Sequence, residues 1–265
     1  MSRPHLLLSR PHLLLASRSP RRRELVGLLG LPFEMTVADV AEDPLANEPP
    51  AVTVARLSQA KARATPATPS SCSEPGPGIR SCPNPPTAAG PSAGRPSAAG
   101  RVDVIIACDT VVALDGEVLG KPCDASEAID MLRRLRGRSH TVYSAVTLLE
   151  FATGRTSTDV AETRLVMRTY TDAEMATYVA SGDPLDKAGA YAIQHPGFHP
   201  VARYQGCYAN VVGLPLCHLT RCLRAFRIEP LHDVPAACQG HTGQLCPVYA
   251  TILAGQPNQQ MANDR

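Results

Sequence analysis

Along the chain, short unbroken apolar blocks alternate with longer stretches in which apolar positions recur every three or four residues. Leu13, Leu14, Leu15 and Ala16 form one such block, the pattern of a strand buried on both faces. It gives way to polar SRSPRRR, where Ser19 is placed to cap a helix, Pro20 suits its first position, Leu25, Leu28 and Leu29 make one stripe, and Gly30 closes it. A second helix is predicted over 51–64, opened by Pro49 and Pro50 and carrying Lys61. Val104 to Cys108 reads as another buried strand, ending at Asp109. Asp124 and Glu127 form a capping-box pair ahead of a helix with Ile129, Leu132 and Leu135 on one face and Gly137 as its stop. Strands are predicted over 140–149 and 159–167, and Thr171 with Glu174 caps a helix that ends at Gly182. Val201 to Val212 reads as a strand, and Leu214 to Phe226 as a helix with Pro215 near its start. Strands interleaved with helices indicate an α/β fold, with a mixed sheet because 140–167 resembles a hairpin. Beyond Glu229 the periodicity fades, and 229–265 reads as a polar tail.

Composition refines this picture. Of the 265 residues 25 are proline, and the excess is concentrated: 66–100 holds nine prolines, five glycines and six serines. Such a stretch cannot bury enough apolar surface to order itself. The segment SRPHLLL at 2–8 is repeated letter for letter at 9–15. Its three-leucine blocks are too short for a signal-peptide core, so only the second copy is expected to be needed. No apolar run approaches the roughly 18 residues of a membrane span. Nine cysteines, an odd number, suit reduced cytosolic thiols better than a disulfide framework. The net charge of +2 excludes a strongly polyanion-coating protein and leaves local basic sites open.

Four places could carry chemistry. The loop Ser17, Arg18, Ser19, Pro20, Arg21, Arg22 and Arg23 joins a strand's carboxyl end to a helix N-terminus, where unpaired amides, hydroxyls and guanidinium groups match phosphate oxygens. Elsewhere such an arginine run would be a solvated turn, but open α/β sheets bind ligands at this position. Asp109 could hold a divalent metal, accept a proton from water, or simply cap a turn. GEVLGK at 116–121 is not a Walker A loop, since three residues separate its glycines and Pro122 replaces the magnesium-binding hydroxyl. Lys121, held between Gly and Pro, still has the reach of a phosphate ligand. Asp186 to Gln194 brings charge, small residues that permit close backbone approach, and in Gln194 both a donor and an acceptor for a base edge. His232, Cys238, His241 and Cys246 lack standard zinc spacing.

Together, ASRSPRRREL at 16–25, RLSQAKARA at 56–64, IIACDTVVALDGEVLGKP at 105–122, MLRRLRGRSHTVYSAV at 131–146, DKAGAYAIQ at 186–194 and NVVGLPL at 210–216 resemble the Maf family. Six motifs in order cover nearly all of 12–228. The resemblance implies a single elongated α/β domain with a mixed sheet flanked by helices and a central cleft, similar to inosine triphosphate pyrophosphatase. The stretch 66–100 becomes an insertion within that domain, one whose deletion would largely spare activity. It also implies a cytoplasmic nucleoside triphosphate pyrophosphatase using Mg2+ or Mn2+ and acting on dTTP, UTP and modified pyrimidine nucleotides, often as a homodimer. By the same resemblance Asp109 is the proton acceptor, and Arg21, Thr110 and Gln194 set base preference. Ser17, Ser19, Arg22, Lys61, Lys121 and Lys187 bind phosphate, with Glu42 and Asp186 on the metal side. Three positions depart from the family pattern: His195 replaces Gly and would narrow the cleft beside Gln194, Cys108 precedes the Asp where Ala is common, and Ala41 replaces an acidic residue. The competing readings are a nucleotide-binding regulator of cell division with little turnover, and a nucleic-acid binder, which the near-neutral charge and absence of tryptophan disfavour.

Overall fold

A computed structural model describes residues 11–42, 45, 47–66 and 103–256. The repeated N-terminal segment's first copy and nearly all of the Pro-rich stretch lie outside them. A seven-stranded mixed sheet runs in the order β2-β1-β3-β5-β6-β7, with β4 paired to β3. β1 (Leu13–Ala16) lies parallel to β2 (Phe33–Thr36) and to β3 (Val104–Leu114). β4 (Glu117–Leu119), β5 (Ser139–Glu150), β6 (Thr156–Met167) and β7 (Val201–Gly206) add antiparallel pairings, including the hairpin read from the alternation.

Alternation along the strands builds the core. Leu13, Leu15, Val104, Ile106 and Cys108 face α1 (Pro20–Gly27) and α6 (Leu216–Ala225), while Leu14, Ala16, Ile105 and Ala107 face α2 (Pro50–Ala64). The far halves of β3, β5 and β6 form a second core with α3 (Ala125–Leu135) and α4 (Asp172–Ala180), centred on Leu132, Tyr170 and Tyr178. Local signals set the helix starts. Ser19 accepts from the Arg22 amide, Asp124 from the Glu127 amide, and Thr171 with Glu174 completes a reciprocal capping box. The Glu127 carboxylate departs from expectation, taking the Cys123 amide at 2.7 Å rather than that of Asp124.

Three expectations are corrected. β3 does not end at Asp109 but runs through it to Leu114, because a charged side chain interrupts the apolar run without interrupting backbone pairing or burial: Asp109, itself buried, and Thr110 stand opposite Ala145 and Ser144. The predicted strand 201–212 is a strand followed by α5 (Tyr208–Val212). Gly206, at φ +125°, turns the chain out of the sheet, and the buried Asn210 amide donates to Val142 O at 3.0 Å and Thr163 Oγ1 at 2.9 Å, which overrides the β preference of its valine neighbours. The tail, at least to residue 256, is packed structure: α7 (Val234–Thr242) is capped by Asp233 and ends at Gly243, and α8 (Tyr249–Leu253) buries Ile252. Its helices, of nine and five residues and separated by Gly243 and Pro247, are too short to show a period. Among the described residues no helix is long and apolar enough to cross a membrane.

Candidate functional site

One edge of β3 pairs with β5 from Val104 to Ala113. Its other edge is divided, with Val104–Ala107 taken by β1 and Val112–Leu114 by β4. Between them Cys108–Val111 have no strand partner on that edge among the described residues, and a cleft of about 510 Å³ opens there. β1 cannot continue into the gap, because the Ser17 amide turns to Thr36 O at 2.9 Å and the chain enters α1. All the side chains proposed from sequence as catalytic, specificity, phosphate or metal residues line this one cleft.

Adjacent residues of a strand point to opposite faces, so Asp109 and Thr110 meet different partners. Asp109, buried on the α2 side, accepts from Lys61 Nζ, which also donates to Glu42 Oε1 at 2.6 Å. Lys121 reaches Glu42 Oε2 at 3.2 Å. Burial pushes the Glu42 carboxyl up, but the hydrogen bond and charge of Lys61, with Lys121 behind it, outweigh burial and hold it below the usual carboxylate range. Lys61, one turn from the end of α2, is therefore the hub of a carboxylate–ammonium cluster whose buried part needs its partner.

Thr110 faces α1. Arg22 Nη2 donates to its hydroxyl at 3.0 Å and Arg22 Nε to Gly213 O at 2.8 Å, while Ser144 lies 2.8 Å from the same hydroxyl. Cys108 Sγ also donates to Gly213 O, at 3.2 Å, and burial pushes this thiol up, so it packs rather than reacts. Ser17 and Ser19 order the loop: Ser19 N donates to Ser17 Oγ at 3.2 Å, and Ser19 Oγ caps α1. The opposite wall follows α4. Lys187 Nζ donates to Asp183 Oδ1 at 2.9 Å and to Asp186 Oδ1 at 2.6 Å, and Arg21 Nη1 stands 3.5 Å from Asp186 Oδ2. Gly189, at φ +70°, lets its amide donate to Gly120 O at 2.9 Å. A Cβ there would lie 3.0 Å from Val112, so the expected close backbone approach is real.

Gln194 is exposed at the rim, where its amide takes no partner among the described residues. His195 does not narrow the cleft. Its Nδ1 accepts from the Gly197 and Phe198 amides at 3.2 and 2.9 Å, and its ring stands edge-on to Tyr178 at 4.7 Å. Sequence reasoning missed Asp39, which lines the cleft near the position where Ala41 lacks its carboxylate, and Gly213, whose carbonyl orients Arg22. An acidic residue in a polar loop carries no signal, and a carbonyl acceptor has no residue type at all. The tail's two histidines are spent on separate partners, and among the described residues no three His, Cys, Asp or Glu side chains are set to hold a metal ion. His232 Nδ1 lies 3.1 Å from Leu28 O, and His241 stands 4.0 Å from Glu24.

The lining includes six cationic side chains, Arg18, Arg21, Arg22, Lys61, Lys121 and Lys187, against four carboxylates, Asp39, Glu42, Asp109 and Asp186. That is a formal excess of two positive charges, with Arg21, Lys61, Lys121 and Lys187 each paired to a carboxylate.

A family model described as Maf-like protein matches residues 12–226, from the residue before β1 to the residue after α6. The dTTP/UTP pyrophosphatase of Salinibacter ruber is 45% identical over 212 residues, 80% of this chain and 89% of that protein. Those of Anaeromyxobacter dehalogenans and Pelotomaculum thermopropionicum are 41% identical over 212 residues and 38% over 214. They cover 79% and 80% of this chain, and 91% and 95% of their own. With the six motifs folded onto one cleft and both kinds of match spanning it, the chain belongs to the Maf family.

Proposed function

We propose that this chain is a cytoplasmic nucleoside triphosphate diphosphatase that hydrolyses dTTP and UTP, and modified pyrimidine nucleotides of the same shape, to the nucleoside monophosphate and pyrophosphate. The observation that carries this reading is the cleft's charge pattern: a carboxylate at a gap in the sheet, ringed by cationic groups from four separate segments. A triphosphate carries about four negative charges, and one divalent cation reduces that to about two, equal and opposite to the cleft's excess.

A divalent cation fits these donors. Mg2+ and Mn2+ favour oxygen ligands, and Mg2+ is commonly held by one or two carboxylates plus substrate phosphates. Glu42 and Asp186 would supply the carboxylates, in keeping with the absence, among the described residues, of any three His, Cys, Asp or Glu side chains set to hold an ion alone. Such an ion would neutralise charge on the departing pyrophosphate.

Asp109 takes the proton of the attacking water. Lys61 occupies Oδ1, and Oδ2 takes no partner among the described residues, leaving one oxygen for the water. Arg22, fixed by Gly213 and Thr110, stabilises charge as the bond from the α phosphorus to the bridging oxygen breaks, with Lys121 and Lys187 on the leaving group. Gln194 meets the O4 and N3–H edge shared by uracil and thymine, and Arg21 and Thr110 assist in selecting it. Incubating the protein with dTTP or UTP and Mg2+ or Mn2+, and assaying pyrophosphate, tests the reading. Release that Asp109→Asn abolishes is expected. Nucleotide binding without release would favour the regulatory alternative.

A further inference from the structure

The tail adds a feature that lies beyond the matched family span. Four thiols from separate segments come together beneath it. Cys207 precedes α5 and Cys217 lies on α6, both buried, while Cys238 on α7 and Cys246 in the loop before α8 pack over them. All stand as free thiols. They are near enough that charge on Cys246 would be felt at each of the other three, and charge on Cys238 at Cys207 and Cys217.

Two of the four differ from the rest in access. Cys207 and Cys217 are buried, whereas Cys238 and Cys246 are half-buried, and Cys246 is flanked by exposed Leu245 and Pro247. A hydrogen bond draws these two segments together: the Cys246 amide donates to Oε1 of Gln239, the neighbour of Cys238, at 2.9 Å. Gly243, at φ +65°, reverses the chain between them. We propose that Cys238 and Cys246 are a reversible oxidation site, closing to a disulfide with a peroxide as oxidant.

The chemistry balances with hydrogen peroxide. The Cys246 thiolate attacks one peroxide oxygen, the O–O bond breaks, and water leaves with the thiol's proton, giving a sulfenic acid. Cys238 sulfur then attacks that sulfur, the S–S bond forms, the S–O bond breaks, and the hydroxyl leaves as a second water carrying the Cys238 proton. Burial first, then the neighbouring Cys246, pushes the Cys238 thiol up to about 11, which assigns it the resolving rather than the attacking role. The segment enclosed by the bond carries Thr242 and Gln244, which wall a second cavity of about 590 Å³ that shares Gln194 with the cleft. Closure would brace that wall.

The test uses the full chain, reduced and then exposed to hydrogen peroxide, followed by alkylation, intact mass and peptide mapping. Expected are two fewer alkyl groups per chain than in the reduced control, corresponding to a loss of about 2 Da before alkylation, one linked peptide pair joining Cys238 to Cys246, and reversal by dithiothreitol. Cys238→Ser and Cys246→Ser should each abolish the linked pair, and Cys207→Ser and Cys217→Ser should leave it. A bond to another cysteine, over-oxidation of Cys246 without a bond, or Zn2+ held by all four thiols in the purified protein would each overturn the proposal. The mapping of the unmutated chain decides the matter even if a variant fails to fold.

Discussion

At the scale of single residues, the cleft separates chemistry from recognition. Asp109 touches the reacting water in the proposed reaction, and an amide in its place keeps the shape while losing the base. Asp109→Asn should therefore lower kcat for UTP by about 10² to 10⁴ with little change in KM, read by steady-state pyrophosphate release. Gln194, at the rim and uncommitted, would act on the base in that reaction. Gln194→Glu replaces the donor with a second acceptor, so kcat/KM for dTTP and UTP should fall by about 10- to 100-fold. In a panel with CTP, 5-methyl-UTP and 7-methyl-GTP, an equal loss for every nucleotide would argue against a base contact. That these residues share one cleft was legible in the sequence because each is a chemically distinctive type in a distinctive neighbourhood. The pairings were not: that Lys61 sits on both Asp109 and Glu42 depends on α2 crossing β3, and nothing local encodes it.

At the scale of elements, caps and apolar stripes located most helices within a residue or two, since those signals are local hydrogen bonds and faces. Failures came where tertiary contacts decide. α5 was hidden by β-branched neighbours until the Asn210 amide supplied a reason for the turn, and the gap in β3 is a property of which strands lie beside it. Gly189 shows how an element depends on one backbone position. It combines φ +70° with the 3.0 Å approach of Val112, so Gly189→Ala must strain the backbone and displace a core residue. A loss of about 2 kcal/mol in urea denaturation is expected, with a rise in KM because Lys187 and Tyr191 flank the position. A neutral effect on both would mean that the loop accommodates a side chain freely.

At the scale of the whole molecule, two buried histidines tie stability to pH. Burial pushes His140 and His218 down to about 4 from an ordinary value of 6.5. Between those values the unfolded chain takes up protons that the folded one refuses, so stability is full above pH 6.5 and falls as pH drops toward 4. For His140, whose Nε2 lies 2.7 Å from the Tyr191 hydroxyl, the loss is about 3 kcal/mol. Urea titrations at pH 7 and 4.5 should show it, and His140→Gln should flatten the difference. The tail makes the larger claim, because its lack of periodicity concealed a packed role. His232 lies against Gly30, the Leu231 amide donates to Leu29 O at 2.9 Å, and Val234, Val248 and Ile252 are buried against the domain. Each such side chain contributes about 1.5 to 3 kcal/mol on burial. Ending the chain after Glu229 should thus cost about 5 kcal/mol and lower Tm by about 10 °C. Had the tail been the solvated appendage its sequence suggests, thermal unfolding would not move, and the cleft, complete without it, should in either case still release pyrophosphate at low temperature.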